Sequence, residues 1–333
     1  LDDATPQFED FDVYHAGVSG GKDSAALALW LRFESGLPLE KMDITFCDTG
    51  NEDPFTYAFL DLLREIIAPV RIDVIHPDKD FWELAYSRHS FPNRRARFCT
   101  QELKIIPTRS YVLALQQAGV NVLMMNGVRQ AEGHSGNDRG EALEWEHDWD
   151  GFGAWIHRPI LYKTIAWIWD IHKKYIPLER VIALIYADPT MDDDKKLHLA
   201  TKVSEAGIPR NPLYDMGALR VGCFPCINSV KFEVRAMAKY RPERIDFIEK
   251  QEVTVGSANP FGYCNFFHLR SVPQQFRNKH ISGITIRQKN YREYDVPTIR
   301  DVVNWSRTKR GGKQYDMDFD LPASTCDIGG MCE

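Results

Sequence analysis

A six-residue string, Ser19-Gly20-Gly21-Lys22-Asp23-Ser24, constrains the fold more than any other feature of the chain. It lies between DVYHAGV at 12–18, which reads as a strand, and SAALALWLRF at 24–33, which reads as a helix. Two glycines let the backbone approach an anion closely. The helix start adds free amide donors and the positive end of a dipole. Lys22 supplies a mobile point charge, and Ser19 and Ser24 supply hydroxyl donors. Asp23 suits such a loop if it orients the backbone or helps to hold Mg²⁺. The string is not a Walker A loop, which needs GxxxxGK[ST].

The rest of the chain keeps the alternation. MDITFC at 42–47, RIDVIH at 71–76, NVLMMNGV at 121–128 and VIALIYAD at 181–188 read as strands. Helices are expected from Pro54 to about Ile67, over 101–118 and 164–175, up to Ala206, and over 228–250. This pattern predicts an α/β fold with a parallel sheet covered by helices on both faces. The segment 129–158 mixes Gly, acids and Trp and reads as a long loop, a lid or a binding loop. Trp145, Trp149 and Trp155 are its candidates for ligand contact, while Trp167 and Trp169 read as core. A nominal boundary falls near 208. Residues 1–208 would form the phosphate-binding domain, and 209–333 a cysteine-bearing, basic extension packed on it.

Composition narrows the class. With 333 residues, 44% apolar and 26% charged, the chain reads as globular rather than disordered. No stretch approaches 18 apolar residues, so a membrane span is not expected, and the acidic N-terminus without an apolar signal core points to the cytoplasm. The net charge of -6 hides an asymmetry: residues 270–313 hold eleven Lys/Arg against Glu293, Asp295 and Asp301, a local +8 on a remainder of -14. Such a stretch reads as a polyanion site, as a solvated face, or as a clamp for ligand phosphates.

The cysteines number seven, which argues against a disulfide scaffold and for metal or thiol chemistry. Cys223-Phe224-Pro225-Cys226 is a short-range soft-ligand pair, and Cys326 and Cys332 form a second pair. Four thiolates suit a [4Fe–4S] cluster or zinc, and spacing does not choose between them; a redox dithiol is the other reading of the CxxC. Cys264 reads as a core thiol or as a substitute for Cys326. Cys47 stands just before Asp48 at a strand end, where it either completes an apolar strand or carries a persulfide. Cys99 follows Arg97, whose charge would lower a thiol pKa. His15 reads as a core histidine, and His134, His147, His157 and His172 lack the spacing of a zinc hydrolase.

The motifs together resemble a known group. SGGKDS looks like the pyrophosphatase loop of the adenine-nucleotide alpha-hydrolase superfamily. Asp48-Thr49-Gly50 with Glu52 and Pro54, Arg97-Phe98-Cys99-Thr100 with Leu103-Lys104 and Pro107, Gly127-Val128-Arg129 with Glu132, and Asn211-Pro212-Leu213-Tyr214 with Gly217, Arg220, Gly222, Cys223 and Cys226 resemble successive blocks of phosphoadenosine-phosphosulfate (PAPS) reductases. The blocks run in family order over roughly 15–226. The chain lacks a CysCys pair and an ECGLH ending. Its late cysteine pair is more similar to DNA phosphorothioation proteins of the DndC and SspD type, and to reductase-like phage proteins. The resemblance implies an ATP pyrophosphatase, cleaving ATP to AMP and pyrophosphate to activate an acceptor, the DNA backbone phosphate, for sulfur incorporation. Lys22, Asp23, Arg129, Cys99 and Cys47 would be catalytic. Ser19, Gly20, Gly21, Lys22, Asp23, Ser24, Asp48, Thr49, Gly50, Lys104, Gly127 and Arg129 would hold ATP with Mg²⁺. Cys223, Cys226, Cys326 and Cys332 would hold a [4Fe–4S] cluster. Expected partners are DNA, a cysteine desulfurase or other sulfur donor, and further subunits of a modification complex, with no membrane. The alternatives are sulfonucleotide reduction and thiolation of tRNA or a small acceptor.

Overall fold

In the computed structural model, which describes residues 5–93, 95–132, 143–147, 153–268, 272–284 and 290–308, the apolar runs become a six-stranded sheet. The first half of the chain alternates β1 (Val13–Val18), α1 (Lys22–Phe33), β2 (Met42–Cys47), α2 (Pro54–Ile66), β3 (Ile72–Ile75) and α3 (Phe81–Ser87). A helical stretch follows, α4 (Phe98–Thr100), a π-helical turn over Gln101–Ile105, and α5 (Ile106–Gln117), leading into β4 (Val122–Met125). Next come β5 (Trp145–His147), β6 (Trp155–His157), α6 (Ile165–Tyr175), α7 (Leu178–Ala187), α8 (Asp193–Ala206) and α9 (Leu213–Met216). The C-terminal third holds α10 (Lys231–Tyr240), α11 (Pro242–Gly256), the hairpin of β7 (Lys279–Ile284) and β8 (Tyr291–Val296), and α12 (Ile299–Ser306).

The sheet order is β3-β2-β1-β4-β6-β5, with β5 alone antiparallel to its neighbour. Helices flank both faces, as the alternation predicts. The chain builds outward from β1 to β3 and then crosses to β4 on the other side of β1. Order therefore reverses between β1 and β4, and a crevice opens at their C-terminal ends, where parallel sheets bind ligands.

Two sequence expectations fail here. VIALIYAD is not a strand: 181–187 lies in α7, which starts after Pro177. Its buried residues, Val181 and Ile185, are four apart and form a helical stripe, so tertiary packing overrides the β-branched composition. The 129–158 segment is not one long loop either. Trp145–His147 and Trp155–His157 extend the sheet beyond β4. Trp145 stacks on His157 with ring centroids 4.2 Å apart, and Trp145 and Trp155, both half-buried, pack on the main core. Trp149 lies outside the described residues. Trp169 is buried and Trp167 packs beside it, as expected.

The main core lines the sheet and includes Tyr14, Leu27, Ile44, Phe59 and Leu123. A second apolar cluster joins Phe81, Trp82 and Leu84 of α3 to Val234, Met237, Ile248, Phe266 and Val302. The C-terminal third is thus held by burial against α3, with Cys264 among the half-buried residues at its margin. No described helix is long and apolar enough to cross a membrane.

Candidate nucleotide and thiol site

The string after β1 folds as the sequence predicts. Gly20 has φ +71°, and its glycine hydrogen faces Thr56, where a Cβ would lie 3.0 Å from Cγ2. The Ser24 hydroxyl accepts from the Ser19 amide at 3.1 Å and donates to the Gly21 carbonyl at 3.2 Å, closing the loop on the first turn of α1. Lys22, Asp23 and Arg129 are buried together. The Asp23 carboxylate lies 2.9 Å from Lys22 Nζ and 2.5 Å from Arg129 Nε. Arg129 comes from the segment after β4, the other strand at the switch point. Gly127 in that segment lets it lie against α1: a Cβ there would meet the Asp23 carbonyl at 3.4 Å. Two cations and a helix start thus converge on the crevice, with Asp23 holding both cations in place.

A back wall, given no role by the sequence reading, comes from the NPLY segment. The Tyr214 hydroxyl accepts from the Lys22 amide at 2.9 Å, and Asn211 Nδ2 donates to the Gly20 carbonyl at 3.3 Å. The signal was the block Asn211–Tyr214 itself, but only the fold shows that it supports the loop from behind.

Beside this, the end of β2 supplies Asp48, Thr49 and Gly50. Asp48 Oδ1 accepts from the Gly50 amide at 2.9 Å and from the Tyr57 hydroxyl at 2.7 Å. Burial and the Asp48 carboxylate push the Tyr57 phenol far above its usual range. Gly50 has φ +69°, and a Cβ there would fall 2.7 Å from Asp80 Cβ. Asp48, Gly50, His76, Pro77, Asp80 and Glu83 line a cavity of about 270 Å³ at the ends of β2 and β3.

Thr49 links the strand end to the cysteines. Its hydroxyl donates to Glu52 Oε1 at 2.7 Å and lies 3.4 Å from Cys223 Sγ. Burial pushes the Glu52 carboxyl up. Lys104 faces this group: the charges of Cys223, Glu52, Cys226 and Cys47 hold its ammonium above the usual lysine range, against burial. Cys99 lies within the electrostatic field of Cys223. The structure therefore gathers Cys47, Cys99, Cys223, Cys226 and Lys104, residues spread over 180 positions of sequence. The expectation that Arg97 lowers the Cys99 thiol is not met. Arg97 is exposed, and burial raises Cys99 instead. Cys47 is raised by burial too, despite its contact with the Thr108 hydroxyl at 3.3 Å. Cys264 is pushed up to about 11 by burial, as suits a core thiol.

Cys326, Cys332, Lys309, Arg310 and Lys313 lie outside the described residues. Among the described residues no group of three or more His, Cys, Asp or Glu stands in metal-holding geometry. Cys223 and Cys226 are soft thiol donors of the kind that iron–sulfur clusters take, two of the four such a cluster needs. The basic stretch is partly neutralised where described: Arg300 pairs with Asp246 at 2.8 Å and Glu249 at 2.7 Å, and His280 lies 3.1 Å from Asp295.

The chain is 27% identical to an uncharacterized 37.8 kDa protein of Escherichia phage 186, encoded in its gpa 5′ region, with 98% of each chain covered. Among solved structures it is similar to the phosphoadenylyl-sulfate reductase of Candida auris in its phosphate complex, at 18% identity and a TM-score of 0.39, over 65% of this chain and 83% of that one. The family model described as the phosphoadenosine phosphosulfate reductase domain matches residues 14–229, from β1 to just past the CxxC. By that match, which takes in the Ser19–Ser24 loop, Arg129, the Asn211–Tyr214 wall and Cys223–Cys226, the chain belongs to the phosphoadenosine phosphosulfate reductase domain family.

Proposed function

We propose that this chain is a sulfonucleotide reductase-type enzyme, acting on an adenine nucleotide whose 5′-phosphate carries sulfate. The observation that supports this most is the adjacency of two sites at one sheet edge, the Lys22–Arg129 anion loop and the thiols around Lys104: a Cβ at Gly21 would lie 3.5 Å from the Val221 carbonyl, and one at Gly222, next to Cys223, would lie 3.9 Å from Lys104 Nζ. The loop would hold the phosphate and Arg129 would bind its oxygens through a planar fork. Asp48 would accept from the ribose or the base. A thiolate of this chain would attack the sulfonate sulfur. The S–S bond forms as the S–O bond to phosphate breaks, and the nucleotide leaves with the electron pair. A second thiol would then attack the sulfur on the chain, forming a disulfide and releasing sulfite. An external dithiol would restore the reduced chain. Loop cations would stabilise the charge growing on the leaving phosphate. Cys223 and Cys226 would be two ligands of a cluster completed by other cysteines, Cys326 and Cys332 being the candidates; bound there, it would hold their sulfurs as thiolates and fix the CxxC loop beside the substrate.

The second reading is ATP pyrophosphatase chemistry that activates an acceptor such as DNA for thiolation. It rests on Asp23 beside Lys22, a carboxylate able to hold Mg²⁺ next to phosphates. One experiment separates the two. Anaerobic protein is given adenosine phosphosulfate or PAPS with a dithiol, and separately ATP with Mg²⁺, duplex DNA and a persulfide donor. Sulfite, with an S-sulfonated cysteine seen by mass spectrometry, supports reduction. AMP and pyrophosphate from ATP, with no sulfite from either sulfonucleotide, would reject it in favour of the second reading.

A further inference from the structure

His172 is fully enclosed in α6, and nothing in the proposed chemistry uses it. Both of its ring nitrogens face carbonyl oxygens. Nε2 lies 2.9 Å from the carbonyl of Lys22, and Nδ1 lies 3.0 Å from the carbonyl of Pro209. A neutral imidazole has one N–H and satisfies one of these; the imidazolium donates to both. The two carbonyls belong to the two halves of the loop's support, the first residue of α1 and the segment that carries Asn211 and Tyr214.

The surroundings are balanced. From α1, Asp23 favours the charged ring, and Lys22 and Arg129 partly screen that carboxylate. From the segment after α8, Arg210 opposes the charge and is itself paired with Asp215 at 2.6 Å. Tyr214 lies next to Trp169, which meets the His172 ring edge-on at 5.7 Å. Burial dominates and holds the free ring below the ordinary histidine range. An oxyanion on Ser19–Ser24 adds negative charge next to the residue whose carbonyl the ring holds, and shifts this balance toward the imidazolium.

We infer that His172 is a positioning residue that takes up a proton as the phosphate loop takes an anion, closing a second hydrogen bond that ties the loop to the Pro209–Tyr214 wall. This rests on the reading of Ser19–Ser24 as an anion loop. It makes anion affinity rise as pH falls, by at most about tenfold per pH unit for one coupled proton.

The probe is sulfate, a dianion throughout the working range, titrated between pH 5.5 and 8 against the full chain. The wild type is expected to bind more tightly toward acid. Calorimetry in two buffers of different ionisation enthalpy should show proton uptake on binding. ¹⁵N spectra of histidine-labelled protein, with the His172 signals identified by their loss in His172→Gln, should show both ring nitrogens protonated in the sulfate-bound state. His172→Gln donates to one carbonyl only, so its affinity profile should be flat. A single neutral tautomer in the wild type with sulfate bound, or a His172→Gln profile as steep as wild type, would overturn the inference. Sulfate binding that Lys22→Ala does not weaken would instead remove the anion-loop reading on which it stands. If His172→Gln fails to fold, wild-type calorimetry with the spectra assigned through-bond still decides.

Discussion

Lys22 lies 2.9 Å from the Asp23 carboxylate, whose other oxygen Arg129 holds, so the cation is aimed before any ligand arrives. Removing Lys22 leaves Asp23 buried against one cation, and an anion entering the loop loses its nearest positive charge. Lys22→Ala is expected to weaken nucleotide or sulfate binding by about tenfold to a hundredfold, the loss of one charge-assisted contact of roughly 1.5–3 kcal/mol. Equilibrium titration checks this, and unchanged binding would count against the site. A second prediction concerns Glu252, enclosed in α11. It accepts from Tyr263, from the Phe266 amide and from the Ile299 amide, while burial pushes its carboxyl up to about 7. A raised carboxyl favours the protonated fold. Its stabilisation is therefore complete below the unfolded value near 4.5 and is lost as pH rises toward 7, at about 1.4 kcal/mol per pH unit. Glu252→Gln should remove that slope from urea midpoints measured at pH 5, 6, 7 and 8. At this scale the sequence was legible where a residue type has one use in its context. Ser19–Ser24, Asp48 and Arg129 announced themselves. The roles of Tyr214, His172 and Glu252 did not show, because they come from chain segments 192, 150 and 47 residues away respectively.

Between elements, the corner of α10 and α11 does the joining. Arg241 is buried with Asp53, the N-cap of α2, at 2.8 Å and with Asp188 at the end of α7 at 2.6 Å. Arg244, one turn on, donates to the Phe224 carbonyl at 3.0 Å and to the Asn51 side chain. Arg241→Leu would leave two carboxylates without their cation and should cost about 3–5 kcal/mol in denaturant unfolding. A smaller loss would mean that the carboxylates find other donors. The elements themselves were legible when their period was clear, as for β2, α2 and α6. α7 was not, because a short apolar run has no period that separates a strand from a helix. β5 and β6 escaped because three-residue strands carry too few alternations.

The whole chain shares its burial across the nominal boundary at 208. Phe81, Trp82 and Leu84 have their apolar partners in α10, α11 and α12. A chain ending at 208 is expected to bind a hydrophobic dye and lose cooperative unfolding; a cooperative, dye-free fragment would show that α3 has another way to cover itself. Nothing local in 81–84 signals that partner, since apolar side chains do not name what they meet.

Arg244 carries a consequence for observation. Its guanidinium lies over the Trp82 ring at 5.2 Å while it grips the Phe224 carbonyl inside the CxxC. An indole's emission depends on the charge above its face. The molecule therefore contains an optical gauge of the cysteine loop: oxidising, loading or alkylating Cys223 and Cys226 is expected to shift the grip of Arg244, and the part of the emission change from the eight tryptophans that Trp82→Phe removes would report it without any added label.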